Sequence, residues 1–169
     1  VVNVSCNGGN DASITITSGG GVTPYEYSID NGTNWQSSST FAGLIAGSYT
    51  IIIRDANLCT TTVNATTIEP AVLSASATTG SASCNGGNDG VITVAATGGN
   101  SGGYQYSIDG INFQASSIFN VVAGNYTVTV RDNLGCSFTF PVTVTMSNNL
   151  TFTPQVDPTI CEGNSTQLN

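Results

Sequence analysis

The chain has 169 residues, of which 7 % are charged: ten carboxylates against two arginines, with no lysine or histidine and a net charge of −8. Such a surface repels phosphate backbones and anionic headgroups, which excludes nucleic-acid binding and disfavours an anionic membrane. The abundance of Thr, Val and Ile beside Ser, Asn and Gly points to a folded β-protein rather than a disordered tail.

The first landmark is "SCNGGND" at 5–11, a polar, Gly-rich stretch that predicts a tight turn. "SITIT" (13–17) follows with period-two alternation and predicts a strand, as does "YEYSI" (25–29). "DNGTNW" (30–35) supplies positive-φ turn residues, and "SYTIIIRD" (48–55) is the strongest strand of this half. "ANLCTTTVNATTI" (56–68) turns and runs back as a further strand. The connector "IEPAVL" (68–73) is short and stiffened by Pro70, so flanking units should stack rather than flop. The series then restarts: "VLSASATT" (72–79), "SCNGGND" (83–89), "VITVA" (91–95), "YQYSI" (104–108), the turn "DGINF" (109–113), "NYTVTVRD" (125–132) and "NLGCSFTFPVTVTM" (133–146). No apolar run approaches the roughly 20 residues that span a bilayer, since Arg54 interrupts the longest, and no membrane insertion is expected.

The two series are copies. Cys6 matches Cys84 at a step of 78, "YEYSID" matches "YQYSID" at 79, and "AGSYTIIIRD" matches "AGNYTVTVRD" at 77. Single insertions between the matched blocks account for the drift. A period this long is that of a string of small domains, not of a solenoid. The expected organisation is one unit at 1–70, clipped at its start, a second at 71–147, and the opening of a third at 148–169, where "TICEGNSTQLN" again puts a cysteine before a Gly-Asn turn. The chain therefore reads as a piece of a longer array. Six or seven short antiparallel strands per unit predict an all-β fold of tandem immunoglobulin-like antiparallel β-sandwich modules.

"SCNGGNDGVITVAATGG…YQYSIDG" followed by "AGNYTVTVRDNLGC" resembles the SprB-type repeat of the large surface adhesins of gliding Bacteroidota, and the resemblance spans residues 1–146. It implies an exported cell-surface protein, carried by type IX secretion and serving adhesion during gliding. The C-terminal end is similar to the opening of related Ig-like modules. The first copy departs in having Ala12 and Leu58 where the second has Gly90 and Gly135.

Several residues are candidate sites. Asp11, Asp55, Glu69, Asp89 and Asp132 are oxygen ligands near the ends of the units and make calcium the one cofactor to consider, although no EF-hand spacing is present. Turn capping is the weightier reading of the aspartates. Trp35 and Phe113 hold equivalent places and are candidate ligand-facing aromatics; core packing is the competing role. Of each pair Tyr25/Tyr27 and Tyr104/Tyr106, one ring must face the core. Arg54 and Arg131, each before an Asp, are expected to form an ion pair or to bond turn carbonyls.

Five cysteines, at 6, 59, 84, 136 and 161, include no Cys-x-x-Cys and no histidine accompanies them, which argues against zinc and for disulfides in an oxidising compartment. Two pairings remain open. One lies within units, Cys6–Cys59 and Cys84–Cys136. The other lies between units, Cys6–Cys136, leaving Cys59, Cys84 and Cys161 to modules on either side. Sandwich topology favours the second, because each first cysteine precedes the second strand while each second cysteine follows the parallel-running sixth. The two then lie a strand length apart, too far for a bond that needs Cα atoms within about 7 Å.

No base accompanies a nucleophile and no phosphate cradle exists, so no enzyme is expected. The leading expectation is a structural stalk segment of a secreted, cell-surface adhesin. Its partners are neighbouring repeats of the same chain, and, through the full-length protein, a surface polysaccharide or substratum. The alternative is a carbohydrate-binding accessory module of a secreted polysaccharide-degrading enzyme.

Overall fold

The computed structural model describes residues 1–83, 87–100 and 102–147. Cys84, Cys161 and the expected start of a third unit at 148–169 lie outside the described residues. The described residues form eleven strands and no helix: β1 (Ala12–Thr15), β2 (Glu26–Ser28), β3 (Thr40–Leu44), β4 (Gly47–Arg54), β5 (Thr60–Thr67), β6 (Ala71–Gly80), β7 (Gly90–Gly99), β8 (Gln105–Ser107), β9 (Ile118–Val121), β10 (Gly124–Arg131) and β11 (Ser137–Val144).

Four antiparallel sheets make two sandwiches. β1–β3 faces β2–β4–β5, and β6–β7–β9 faces β8–β10–β11. Each has its own core: Ile14, Tyr27, Phe41 and Ile51 in the first, and Ile92, Val94, Tyr106, Val121, Val128, Val130 and Val144 among the second. The fold is thus all-β, with immunoglobulin-like sandwich repeats. The hairpins β4–β5 and β10–β11 are the backbone of each, paired from Gly47↔Thr67 to Arg54↔Thr60 and from Gly124↔Val144 to Arg131↔Ser137. Alternation explains their faces, with Ile51 fully buried in β4 and Val128 and Val130 fully buried in β10. The hydroxyls of Tyr49 and Tyr126 donate back to the carbonyls of Ile45 (2.9 Å) and Val122 (2.8 Å), clamping the corner that leads into each hairpin as the tyrosine corner does in immunoglobulin sandwiches.

Two strands go beyond the sequence reading. β3 and β9 lie in stretches, "TFAGL" and "IFNV", too short and too interrupted to show alternation, and they form because they close the sheets against β1 and β7. Gly43, with φ of 72°, is one of the extra residues that move the repeat step, and it forms a bulge opposite Ala12 and Ser13. Ala12 fits there, whereas a Cβ on Gly90 would meet the Val121 carbonyl and a Val144 methyl, each at 2.8 Å. The other departure keeps its conformation: Leu58 has φ of 65° where Gly135 has 89°, so leucine takes a left-handed position at a cost of about 1 kcal/mol.

β6 leads the second copy. It pairs with β7 over Ala71–Gly80, and Val72 passes so close to Gly98 that an added Cβ would sit 1.9 Å from the Val72 oxygen. Gly98 also holds φ of 76°. Gly98→Ala should therefore destabilise the second sandwich by on the order of 3 kcal/mol, while Gly20→Ala, whose Cβ meets nothing within 4 Å, carries only the backbone strain. Denaturant titration of the two variants checks this; equal losses would contradict it.

Candidate functional site

The signature turn of the first copy lies at the junction between the sandwiches. The "SCNGGND" turn of the first copy closes on itself. Asp11 accepts hydrogen bonds from the Ser5 amide (2.9 Å) and the Ser5 hydroxyl, and the Gly9 amide donates to the Cys6 carbonyl (2.9 Å). Gly8 supplies φ of 73°, and Gly9 leaves no room for a side chain because Val4 and the Cys6 carbonyl stand where its Cβ would be. In the second copy Asp89 accepts from the Ser83 amide (2.9 Å).

So closed, the turn grips its neighbours. Asn7 donates its Nδ2 to the Pro70 carbonyl (3.0 Å), and the Gly8 amide donates to Glu69 Oε2 (2.7 Å). Val4 and Asn3 bond both backbone groups of Ile68, at 3.1 Å each. From the second sandwich Asn100 Nδ2 donates to the Ser5 carbonyl (2.6 Å). Cys6 is bonded to Cys136, with Cα atoms 5.6 Å apart and a sequence separation of 130. The staple therefore joins the two sandwiches. Cys59 is a free, exposed thiol, so the within-unit pairing of Cys6 is absent.

Asp132 organises the receiving hairpin. It is 4 % exposed and accepts from the Asn100 amide (2.8 Å) and side chain, and from the Leu134 and Cys136 amides (3.0 Å each). Burial pushes its carboxyl up, but these donors more than offset that and leave it below the ordinary value. Asp55 repeats the arrangement, accepting from the Val22, Asn57 and Cys59 amides, which hold its carboxyl low.

The other candidates have similarly local roles. Asp30 accepts from the Asn34 amide and side chain and from Ser28, lowering its carboxyl to about 2; Asp109 is held further down by Asn112, Ile111 and Ser107. These bonds explain the "YSID" wording: the fully buried Ser and the Asp cap one turn. Among the described residues no three of the Asp, Glu and Cys side chains converge as a cation site would require. The calcium candidates Asp11, Asp55, Glu69, Asp89 and Asp132 each accept hydrogen bonds within a turn or across the junction.

Trp35 and Phe113 each have a cation over one face of the ring. The Arg54 guanidinium lies 3.9 Å from the Trp35 ring centroid, and that of Arg131 lies 3.8 Å from Phe113. The arginines reach these rings because neighbours in a strand point to opposite faces, which separates each from the Asp that follows it. Arg54 pairs instead with Glu26 across the sheet (2.7 Å), and Arg131 with Gln105 (2.8 Å). Of the two expected roles, Arg54 takes the ion pair, and Arg131 bonds a strand side chain rather than a turn carbonyl. Tyr27 and Tyr106 are the core members of their pairs.

The geometry defines a tandem of immunoglobulin-like sandwiches stapled end to end. The family model for the SprB repeat matches residues 1–34 and 76–113, so that the signature turn and the strand after it are similar to that repeat in both copies. Family and fold are of a type common to non-catalytic structural modules. No curated protein matches the chain. Among solved structures, the amphioxus IgVJ-C2 molecule is similar at 11 % identity, over 86 % of this chain and 100 % of that one, with a TM-score of 0.38. The N-terminal four Ig domains of Dscam1 isoform 6.44 are similar at 16 % identity, over 87 % of this chain and 43 % of theirs, with a TM-score of 0.38. The fibronectin(III)-like modules of Clostridium thermocellum CbhA are similar at 14 % identity, over 90 % and 94 %, with a TM-score of 0.32. No helix among the described residues is long and apolar enough to cross a membrane.

Every carboxyl discussed with a shift is held below its ordinary value near 3.9. The stability they contribute is present above that value and is lost as pH falls through their folded values. The melting temperature should be level from neutral pH to about 5 and should drop between about 4 and 2, the range reached by Asp30. Calorimetry across that range checks it; a melting temperature unchanged down to pH 2 would contradict the assignment.

Proposed function

We propose that this chain is a stalk segment of a large secreted cell-surface adhesin, with residues 1–70 and 71–147 as successive modules of a filament and 148–169 opening a third. Adhesion and gliding on a surface polysaccharide or substratum, and export by type IX secretion, follow from the SprB resemblance. The observation that carries the stalk reading is the Cys6–Cys136 bond between sandwiches. A load entering near residue 1 and leaving beyond Cys136 passes across the sulfurs. It bypasses the segment between them, which includes β1 to β10, and leaves β11 as the strand on the path of the force. The linker bonds of Asn7 and Gly8 then fix the angle of the junction rather than bear the load.

The carbohydrate-binding alternative has less support, since cations cover the rings of Trp35 and Phe113 that would stack on a sugar. Single-molecule pulling from the two termini tests the stalk reading. Oxidised protein should yield no unfolding length from the bridged segment. Reduced protein should yield up to roughly 450 Å more, at about 3.5 Å for each of the 130 residues. Full-length unfolding of oxidised protein would contradict the reading, and glycan binding lost in Trp35→Ala would favour the alternative.

A further inference from the structure

Arg54 and Arg131 are the chain's two cationic side chains, and their partners differ. Glu26 Oε2 takes both the Nε and a terminal nitrogen of Arg54, each at 2.7 Å, so the first arginine is neutralised within the chain. The second copy has Gln105 in the place of Glu26. Its Oε1 accepts from Arg131 Nε (2.8 Å), and among the described residues no carboxylate pairs with Arg131 and no acceptor meets its terminal nitrogens. The guanidinium is fixed all the same. The Phe113 ring lies 3.8 Å from it, and Gln105 holds one edge. A cation held in one orientation with an unmet donor edge is prepared for a carboxylate.

Arg131 lines a hollow of about 500 Å³ on the second sandwich. The two copies differ at its walls in one direction. Around the retained Tyr104, Arg131 and Asp132, the second copy has Gly102 and Gly103 for Thr23 and Pro24, Ala115 for Ser37 and Gly135 for Leu58. Each of these changes removes side-chain atoms. Gly103 holds φ of 120°, and a Cβ there would meet nothing within 4 Å. The other two changes supply amides: Gln105 for Glu26 and Asn133 for Ala56. Asn133 takes the space that Gly102 leaves, where a Cβ would lie 2.4 Å from its Nδ2. Asp132 also lines the hollow, but it is 4 % exposed and both its oxygens are engaged, by Asn100 and by the Leu134 and Cys136 amides.

We propose that this hollow binds a sugar bearing one carboxylate, a hexuronate, whose carboxylate takes the terminal nitrogens of Arg131 as Glu26 takes those of Arg54. The amides of Gln105 and Asn133 each offer a donor and an acceptor, the pattern that neighbouring sugar hydroxyls satisfy and an apolar ligand does not. One cation in a chain of net charge −8 matches one negative charge, which disfavours a phosphate dianion. The site belongs to the second copy alone. In the first, Glu26 already holds the arginine, and Thr23, Pro24 and Leu58 stand where the second copy has glycines. The inference is independent of the stalk reading, which concerns the junction and survives the failure of this site.

The test is an NMR titration of the full 169-residue protein with glucuronate, glucose, acetate and glycylglycine. Glucuronate should give saturable shifts at Gly103, Gln105, Arg131 and Asn133, with a Kd of about 1–10 mM, and glucose should give none. Gln105→Glu rebuilds the ion pair of the first copy inside the second sandwich. It should keep a native spectrum and weaken glucuronate at least about tenfold. Asn133→Ala should weaken glucuronate and leave acetate unchanged. No saturable shift up to about 100 mM glucuronate would overturn the proposal. So would glucose binding as tightly as glucuronate, or a Gln105→Glu variant that binds as the native protein does. Acetate or glycylglycine binding as tightly as glucuronate would overturn the assignment to a sugar.

Discussion

The bond between Cys6 and Cys136 is the constraint around which the junction is organised. It requires the signature turn of one sandwich to meet the last hairpin of the next with Cα atoms 5.6 Å apart, and the surrounding hydrogen bonds serve that meeting. Asp11 closes the turn from one side through Ser5, and Asp132 sets the receiving hairpin from the other through the amide of Cys136. Glu69 and Pro70 hold the connector between them. Each sandwich is small, and its core alone offers limited stability. Joining two of them through a loop of 130 residues restricts the unfolded chain strongly, a contribution of about 4–5 kcal/mol on the chain-entropy account.

Much of this was legible in the sequence because the chain states it twice. The repeat supplied the unit, period-two alternation supplied the hairpins, and sandwich topology favoured the pairing between units over Cys6–Cys59. Other parts were not legible for physical reasons. β3 and β9 have no pattern of their own and exist because β1 and β7 need a partner. Arg54 and Arg131 sit beside aspartates in sequence, yet adjacent strand residues point apart, so their partners are fixed by register with β2 and β8. That register also explains why Trp35 and Phe113 lie beneath cations, a relation that composition cannot show.

The two copies inform each other where they differ. Leu58 holds the left-handed turn that Gly135 adopts without strain, which shows that the hairpin geometry matters more than the residue that builds it. Gly43 absorbs an extra residue as a bulge and lets Ala12 occupy a place that Gly90 must leave empty. Conformation is kept and wording drifts, as expected when the junction rather than any one side chain is the functional element.

The central claim is the connectivity of Cys6, and two arginines make it directly measurable. Trypsin divides the chain after Arg54 and Arg131, placing Cys6, then Cys59 with Cys84, then Cys136 with Cys161 on three separate peptides. Chymotryptic cleavage after Phe138 then parts Cys136 from Cys161, the bond after Phe140 being blocked by Pro141. Under non-reducing conditions the peptide bearing Cys6 should remain joined to the one bearing Cys136. A link from Cys6 to Cys59 would instead mean self-contained beads and would contradict both the stapled junction and the force path drawn from it.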